Sequence, residues 1–435
     1  MMSFNLNSIK RVILNLTDSK FRFEFFSTIY FLMLGFCYVY FNELYFLNYK
    51  GPSINIIKFV HTIFLFILLL KFIPKSIERI SDLFVSIIFF IILLPLLVIF
   101  LFDIRYEWFY IYSVLTTFFL LSYVRKIKLF NSLKFIYKKK INVILLIKIL
   151  TLLGITFLFF DVGFDSFNLN PKLVYNFRDQ DFSKLSSYLV TWLSKISIPL
   201  LACFAFIRKK YILMSCCILA LIFLYGISSE KSIFLFPLLG IITSILFYKT
   251  KNLSLIPFFF FVLITISIIL FTFLGYRYLP SMIIRRGFFV PSEMILHYIK
   301  FFDENQFTYW SQNLIGNFFS DYPYDLPPGE LINKRVFLKD IGSSNCSFLG
   351  TAFMHAGFLG SIIYGLIMGI ILNFIDYFNF KNTNFLLITS SSIVPIFTII
   401  TTTDLPTGML THGLFISLMI IPFISEKDFF IKKTR

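Results

Sequence analysis

Long apolar stretches alternate with short polar ones along almost the whole chain. Twelve of these stretches approach the length of about 20 residues that an α-helix needs to cross the hydrocarbon core of a membrane. They are expected at residues 25–46, 54–73, 83–102, 107–124, 141–160, 187–207, 211–228, 232–248, 253–275, 347–375, 384–402 and 406–424. The pattern predicts an all-α, polytopic integral membrane bundle of about twelve transmembrane helices, with residues 1–435 as one domain.

Composition strengthens the prediction of a membrane protein. Of the 435 residues, 58% are hydrophobic and 14% are charged, and the mean hydropathy is +0.82. A soluble protein of this composition would leave too much apolar surface in water. Four of the five cysteines, Cys37, Cys203, Cys216 and Cys217, lie in apolar stretches. Because neither the cysteines nor the histidines have a metal-binding spacing, we expect no metal and no other cofactor.

The net charge of +17 does not indicate a nucleic-acid partner, because the basic residues lie between apolar stretches. Seven of them fall between Arg125 and Lys140 alone. With the N-terminus in the cytoplasm, the inner segments hold 24 of the 40 lysines and arginines, and the outer segments hold 13. The positive-inside rule therefore predicts that both termini are cytoplasmic.

Two outer segments, 161–186 and 276–346, are too long to be simple connections and are expected to be functional. The second contains RRGFFVPSEMILHYIKFF, from Arg285 to Phe302. Pro291 fits the first turn of a helix that begins there. At helical spacing, one face of this helix is polar and the other is apolar. The polar face is formed by Glu293, His297, Lys300 and Glu304, and the apolar face by Ile295, Tyr298, Ile299 and Phe302. We expect an amphipathic helix at the membrane interface with its polar face toward a cavity.

Two pairs of residues in this block have a structural and a functional interpretation. Arg285 and Arg286 either anchor the end of a span by reaching lipid phosphates or bind a phosphate or pyrophosphate group bidentately. Their position on the outer side, where basic residues are disfavoured, supports the second interpretation. Glu293 and His297 form either an exposed helix pair of little energetic value or a general base beside a reacting hydroxyl.

Three further features lie inside or beside the apolar stretches. Lys148 and Lys195 are expected to face the interior of the bundle in a structural role, because a charge exposed to lipid is costly. The glycines between Asn345 and Ile371 are expected to allow close packing of helices. His355, near the outer end of that stretch, either packs there or faces the cavity.

Four local elements resemble those of the Wzy-type O-antigen polymerases, which are oligosaccharide repeat-unit polymerases. They are NPKLVYNFRDQ, which contains Arg178, SSEKS, which contains Lys231, the block from Arg285 to Phe302, and NCSFLGTAFMHAGFLG. Their order and their placement in loops also match. Ser347 and Ala356 depart from the family pattern, which has glycine and an aromatic residue at these positions.

The resemblance implies a membrane glycosyltransferase of the glycosyltransferase-C-like kind, which polymerises repeat units carried on undecaprenyl pyrophosphate. Positive side chains would stabilise the pyrophosphate leaving group, with Arg285 also counted as catalytic. Glu293 is the first candidate for the base and His297 the second. The implied pyrophosphate-binding residues are Arg178, Lys231, Arg277, Arg285 and Arg286, and the implied glycan-binding residues are Tyr298, Asn345 and His355.

The implied setting is the bacterial cytoplasmic membrane, with the active site on the periplasmic side and a role in lipopolysaccharide biosynthesis. The implied partners are undecaprenyl-pyrophosphate-linked oligosaccharides, membrane lipids and, as a further candidate, a chain-length regulator protein. Two alternatives stay open. An O-antigen ligase would carry out the same chemistry on another acceptor, and His355 before a glycine-rich span suits it. A lipid-linked oligosaccharide flippase or other transporter would not be an enzyme.

Overall fold

The computed structural model describes residues 19–41, 53–130, 142–163, 167–170, 182–312, 320–379 and 382–424, and within these ranges the regular structure is helical. The predicted site residue Arg178 lies outside these ranges. One isolated β-bridge joins Ser76 to Asn252. The all-α prediction is therefore confirmed for the part of the chain that the structure describes.

Fifteen helices are numbered here in chain order. They are α1 Ser19–Tyr40, α2 Ile56–Phe72, α3 Ile80–Phe102, α4 Trp108–Val124, α5 Val143–Val162, α6 Lys184–Ile207, α7 Tyr211–Ser228, α8 Lys231–Thr250, α9 Leu255–Leu274, α10 Val290–Glu304, α11 Pro328–Arg335, α12 Phe348–Tyr377, α13 Asn382–Thr401, α14 Leu405–Leu410 and α15 Leu414–Ile424. Helices α3 and α6 each contain a short π-helical turn, at Phe89–Leu93 and Leu193–Ser197. A π-helical segment, Ser281–Phe289, leads directly into α10.

Nine helices of the described ranges are long and apolar enough to cross a membrane, which supports a polytopic helical membrane protein. Fewer than the predicted twelve reach this length. The stretches expected at 54–73 and 107–124 form helices of 17 residues each. The stretch expected at 406–424 is two helices, α14 and α15. Gly413, with φ +79°, precedes α15, and a Cβ there would lie 2.4 Å from Ile196, so the contact with α6 favours a break.

Helix α3 is the centre of the bundle, since its whole membrane-spanning window is buried. A helix that is hydrophobic on every side is expected in such a position. Beside it, α12 packs closely along α4. A Cβ added to Gly365 would lie 2.8 Å from the carbonyl oxygen of Thr117, and one added to Gly369 would lie 2.6 Å from Cβ of Val124. The prediction that glycines of this stretch permit close helix packing is confirmed.

A kink divides α12 near its N-terminal end. Gly357 has φ +58° and ψ −138°, a conformation that a residue with a side chain rarely adopts. The short N-terminal part, which carries Thr351 and His355, therefore points away from the axis of the rest of the helix. This kink places both side chains against the connection between α13 and α14.

The prediction that Pro291 lies in the first turn of a helix is confirmed, since the α-helical turns begin at Val290; the π-helical segment Ser281–Phe289 runs into them without interruption. The expected position of this helix at the membrane interface stays a prediction. Every residue from Pro291 to Ile299 is buried. Before them, the ring of Phe288 packs on those of Tyr30 and Phe260, in α1 and α9. Helix α10 is thus inserted among the other helices.

A buried hydrogen-bond network joins α3, α4 and α12. It is centred on Arg125, the residue that directly follows the end of α4. The Arg125 Nη1 atom lies 2.7 Å from Oδ1 of Asp82 and donates to Oγ of Ser81 at 2.5 Å. The backbone N–H of Ser81 donates to Asp376 at 2.9 Å. Since Ser81 and Asp82 belong to α3, Arg125 follows α4 and Asp376 belongs to α12, the network fixes the relative positions of the three helices.

Candidate functional site

A cavity of about 370 Å³ opens beside the polar side of α10. It is lined by the α10 residues His297, Lys300 and Glu304, which fall on one face of the helix. Across from them lie Arg105 and Tyr106, from the connection between α3 and α4. The full set of lining residues is Arg105, Tyr106, His297, Lys300, Phe301, Glu304, Asn305, Arg335 and Val336. The expectation that this polar face is turned toward a cavity is confirmed for His297, Lys300 and Glu304, whereas Glu293 does not line the cavity. We call it the cationic cavity.

The connection that supplies Arg105 is held rigidly. The ammonium group of Lys58, in α2, donates to the backbone carbonyls of Asp103 and Tyr106 at 2.9 and 2.7 Å. It also lies 4.6 Å from the centre of the Phe100 ring. Arg105 makes a two-nitrogen contact with the Asp103 carboxylate, at 2.9 and 2.5 Å. This arrangement fixes the direction of Arg105 before any ligand arrives.

Glu293 and His297 are both nearly buried, at 9% and 8% exposure. Nε2 of His297 lies 3.7 Å from Oε1 of Glu293 and 3.4 Å from the hydroxyl of Tyr106. Burial, together with the Glu293 carboxylate, raises the pKa of Tyr106 well above its usual value. Tyr106 therefore keeps its proton and can donate to the imidazole. The interpretation of Glu293 and His297 as an exposed helix pair is wrong, because neither side chain is exposed.

The side chains that line the cationic cavity carry an excess of positive charge. Arg105, Lys300 and Arg335 are basic, and Glu304 is the one carboxylate among the described lining residues. Arginine and lysine around a concave surface raise the local concentration of anions and bind phosphate oxygens with charge-assisted hydrogen bonds. An anionic group is the ligand that this cavity suits best.

The arginines predicted to bind pyrophosphate do not line this cavity. Arg277 and Arg286 are exposed, and Arg285 is half-buried in the π-helical segment. Lys231 is half-buried at the first position of α8. None of the four is among the residues that surround the cationic cavity. Their predicted role in binding pyrophosphate stays a prediction.

A second cavity, of about 230 Å³, lies on a different side of α10 and has a different chemical character. Tyr298 and Asn345, both predicted to bind glycan, line it. His355 lines neither cavity. The remaining lining residues are Gln312, Pro327, Pro328, Gly329, Ser343, Cys346, Thr351, Met354, Thr402, Thr403, Asp404, Thr407 and His412. We call it the neutral cavity.

His355 is completely buried and saturated with hydrogen bonds. Its Nδ1 accepts from the backbone N–H of Trp310 at 3.2 Å and lies 2.9 Å from Oγ1 of Thr308. Because a backbone N–H can only donate, Nδ1 is an acceptor here. Nε2 then carries the proton and donates to Oδ2 of Asp404 at 3.1 Å. The interpretation that His355 faces a cavity is not supported, and the structural one is.

Asp404 is the centre of this second network. Its Oδ1 accepts from Thr351 at 2.7 Å and from Tyr364 at 2.8 Å, besides the bond from His355. Burial raises the pKa of the Asp404 carboxyl, but the interactions with His355, Thr351 and Tyr364 outweigh burial and hold the pKa below its usual value. Asp404 stays ionised and joins α12 to the start of α14.

Both lysines expected inside the bundle have structural contacts. Lys195 is buried in the π-helical turn of α6, and its Nζ donates to Nδ1 of His412 at 2.8 Å. Lys148 is half-buried in α5, with its Nζ 5.2 Å from the centre of the Phe204 ring. Lys195 faces the interior, as predicted for a charge within an apolar helix.

Sequence reasoning missed Arg105, Arg335 and Asp404. The signal for Arg105 was present, because it is an arginine on the predicted outer side, the same argument that singled out Arg285. Asp404 was also detectable, as a single carboxylate between two apolar stretches. Arg335 lies in the polar segment NKRVFLKD, where neighbouring lysines hide it.

No known family model matches the chain, and it has no significant match among the curated proteins or the solved structures. Within the described ranges, no group of three or more histidine, cysteine, aspartate or glutamate residues could hold a metal ion. The functional argument therefore rests on the two cavities and their chemistry.

Proposed function

We propose that this protein is a membrane glycosyltransferase that transfers a glycan from a polyprenyl-pyrophosphate carrier, and that it polymerises oligosaccharide repeat units in the manner of the Wzy-type O-antigen polymerases. The observation that carries the proposal is the cationic cavity, where Arg105, Lys300 and Arg335 line the walls together with His297, whose Nε2 lies 3.7 Å from Glu293. The membrane-spanning helices supply the setting in which a lipid carrier can reach this cavity.

The proposed reaction needs two things from the protein. The acceptor hydroxyl oxygen attacks the anomeric carbon of the donor, the bond from that carbon to the pyrophosphate oxygen breaks, and its electron pair leaves with the pyrophosphate. The hydroxyl proton passes to a base on the protein. Developing negative charge on the leaving group is stabilised by fixed positive charges, which is the role we assign to Arg105, Lys300 and Arg335.

We assign the base to His297, with Glu293 as its supporting carboxylate, the reverse of the order that the sequence favoured. His297 lines the cavity, whereas Glu293 does not. When His297 accepts the proton, the imidazolium lies beside the Glu293 carboxylate, at 3.7 Å in the present geometry.

The location of His355 removes the feature that suited the ligase alternative, and it gives no support to the glycan-binding role implied for His355 in a polymerase. The ligase alternative rests on a histidine before a glycine-rich span that contacts the substrate. Here that histidine is completely buried and donates to Asp404. It can orient α12, but it lines neither cavity.

The test is complementation of a strain that lacks this gene and makes surface glycan with a single repeat. The unchanged gene should restore a ladder of repeats, and Lys300→Met/Arg335→Met should abolish it. Each lost charge-assisted hydrogen bond is worth about 1.5–3 kcal/mol. At about 1.4 kcal/mol per factor of ten, two such losses slow transfer at least about a hundredfold.

The matched control is Lys334→Met/Lys339→Met, which removes two exposed lysines that line neither cavity. It should leave the ladder intact at equal expression. A ladder that survives in Lys300→Met/Arg335→Met would contradict the assignment of the pyrophosphate site. If Arg285→Ala/Arg286→Ala alone abolished it, the site would move to those arginines. If deletion of the gene abolished even the single-repeat product, the ligase or flippase alternative would replace the polymerase.

A further inference from the structure

The neutral cavity is separate from the cationic cavity, although both border α10. Tyr298 lines the neutral cavity and His297 the cationic one. Adjacent residues of a helix point about 100° apart, so the two cavities open on different sides of it. The other walls of the neutral cavity come from residues 327–329, 343–346 and 402–407 and from the first turns of α12.

One wall of the neutral cavity is held in a fixed conformation. A Cβ added to Gly329 would lie 2.2 Å from Oγ of Ser343, so the close approach of these segments requires glycine. Oγ of Ser343 donates to Oδ1 of Asn345 at 2.9 Å. The side chain of Asn333 accepts from Oγ of Ser344 at 3.1 Å and donates to two backbone carbonyls. The amide group of Asn345 is therefore presented at a defined place.

Gln312 gives the neutral cavity an acceptor that no described residue satisfies. Its Oε1 atom is buried and has no hydrogen-bond partner among the described residues. Gln312 also lines the cavity. A buried acceptor without a partner costs free energy. A ligand hydroxyl that donates a hydrogen bond to this atom would remove that cost. The buried acceptor therefore points to a ligand independently of the shape of the cavity.

The charge of the neutral cavity disfavours an anion. Among its described lining residues there is no lysine or arginine, and Asp404 is the one carboxylate. Both oxygens of Asp404 are already occupied by hydrogen bonds. Its other polar groups are the hydroxyls of threonine, serine and tyrosine, two amides and the imidazole of His412. Such groups both donate and accept, which suits a ligand with several neutral hydroxyls.

We propose that the neutral cavity is a holding subsite for an uncharged sugar residue of the glycan chain, apart from the residue that reacts. The proposal rests on the proposed glycosyl transfer. Because the cavity opens on a different side of α10 from His297, the sugar held there is not the one that loses its proton. Gln312, Asn345 and Thr403 supply the polar contacts.

A holding subsite has a definite effect on the product. A glycan that stays bound between two transfers is presented to the next donor at a high effective concentration. Loss of the subsite should therefore shorten the polymer, whereas it should leave a first transfer nearly unchanged. Loss of the cationic cavity should instead slow every transfer.

The first test is binding, measured by calorimetry on the purified full-length protein. The reagent is the oligosaccharide released by mild acid from the lipid-linked pool of the host cells, which lacks pyrophosphate. Gln312→Met/Thr403→Val should weaken binding roughly tenfold, since two hydrogen bonds are lost. The matched control is Gln306→Met/Thr411→Val, which changes the same residue types outside the cavity. This control should bind the oligosaccharide like the unchanged protein, and so should Lys300→Met/Arg335→Met.

The second test is the ladder in the complementation strain. Gln312→Met/Thr403→Val should shift it to short products, with two-repeat glycan still formed at about the unchanged rate. Undetectable binding to the unchanged protein, or binding that also depends on Lys300 and Arg335, would overturn the holding subsite even if the ladder forms. A ladder of normal length in Gln312→Met/Thr403→Val would also overturn the holding subsite if this variant binds the oligosaccharide weakly. Binding without any ladder from the unchanged gene would instead refute the proposed polymerase.

Discussion

Replacement of Arg125 by leucine tests whether the buried network at the end of α4 stabilises the bundle. Arg125 is 2% exposed, and the side chain of its partner Asp82 is 7% exposed. In Arg125→Leu, the Asp82 carboxylate keeps two hydrogen bonds from the backbone N–H groups of Glu78 and Arg79, but it loses its counter-charge. A buried ion pair broken on one side costs about 3–5 kcal/mol, a large part of the stability of an ordinary domain.

The neighbouring lysine provides a matched control. Lys126→Leu makes the same change in net charge one residue away, at an exposed position, and such changes usually alter stability by less than about 0.5 kcal/mol. The measurement is the midpoint of thermal unfolding of the purified protein in detergent, followed by the monodisperse fraction on size exclusion. Arg125→Leu should lower this midpoint by several degrees, and Lys126→Leu should hardly change it.

A double variant separates the unpaired charge from the lost packing. In Arg125→Leu/Asp82→Asn the charges of both ion-pair partners are removed, and the asparagine oxygen can still accept from the N–H groups before α3. Its midpoint should lie above that of Arg125→Leu. The reasoning is refuted if Arg125→Leu unfolds at the same temperature as Lys126→Leu, or if Asp82→Asn lowers the midpoint further in the Arg125→Leu background.

Two other predictions concern packing and topology. Gly365→Ala should lower the thermal midpoint more than Gly35→Ala. The new Cβ at position 365 would lie 2.8 Å from the backbone oxygen of Thr117, whereas the nearest atom to a Cβ at position 35 is 3.8 Å away. Equal midpoints would contradict the close packing of α12 on α4. In intact cells, Ile341→Cys, at a position 92% exposed, should react with a membrane-impermeant maleimide, and Lys126→Cys should react only after permeabilisation. The reverse pattern would invert the predicted topology.

Hydropathy predicted the long spans well where the apolar stretch is uninterrupted. The stretches expected at 347–375 and 384–402 correspond to α12 and α13 within two residues at each end. The first helix was placed too late, at 25–46, because Lys20, Arg22 and Glu24 occur in its first turns and mask its start at Ser19. The break between α14 and α15 arises from a tertiary contact at Gly413. Composition alone therefore predicts one span there.

The candidate site was predictable on one side only. Helical spacing correctly placed His297, Lys300 and Glu304 on one face, because that property is local. The opposite wall of the cationic cavity is not local. Tyr106 lies 191 residues from His297 in sequence, and no periodicity relates such distant positions. Burial of Glu293 likewise depends on which helices cover α10, so the sequence left the exposed pair and the general base as open alternatives.

The π-helical segment before α10 explains how one helix can serve two chemically different cavities. A π-type hydrogen bond spans five residues where an α-helix spans four, so it changes the direction in which all later side chains point. The backbone N–H of Val290 donates to the carbonyl of Arg285 in this way. After it, α10 turns His297 toward the arginines and Tyr298 toward the hydroxyl-rich cavity. A lipid-linked glycan has the same division, an anionic carrier group at one end and neutral sugars beyond it. In the proposed transfer reaction, α10 would therefore separate the two kinds of contact that a lipid-linked glycan requires.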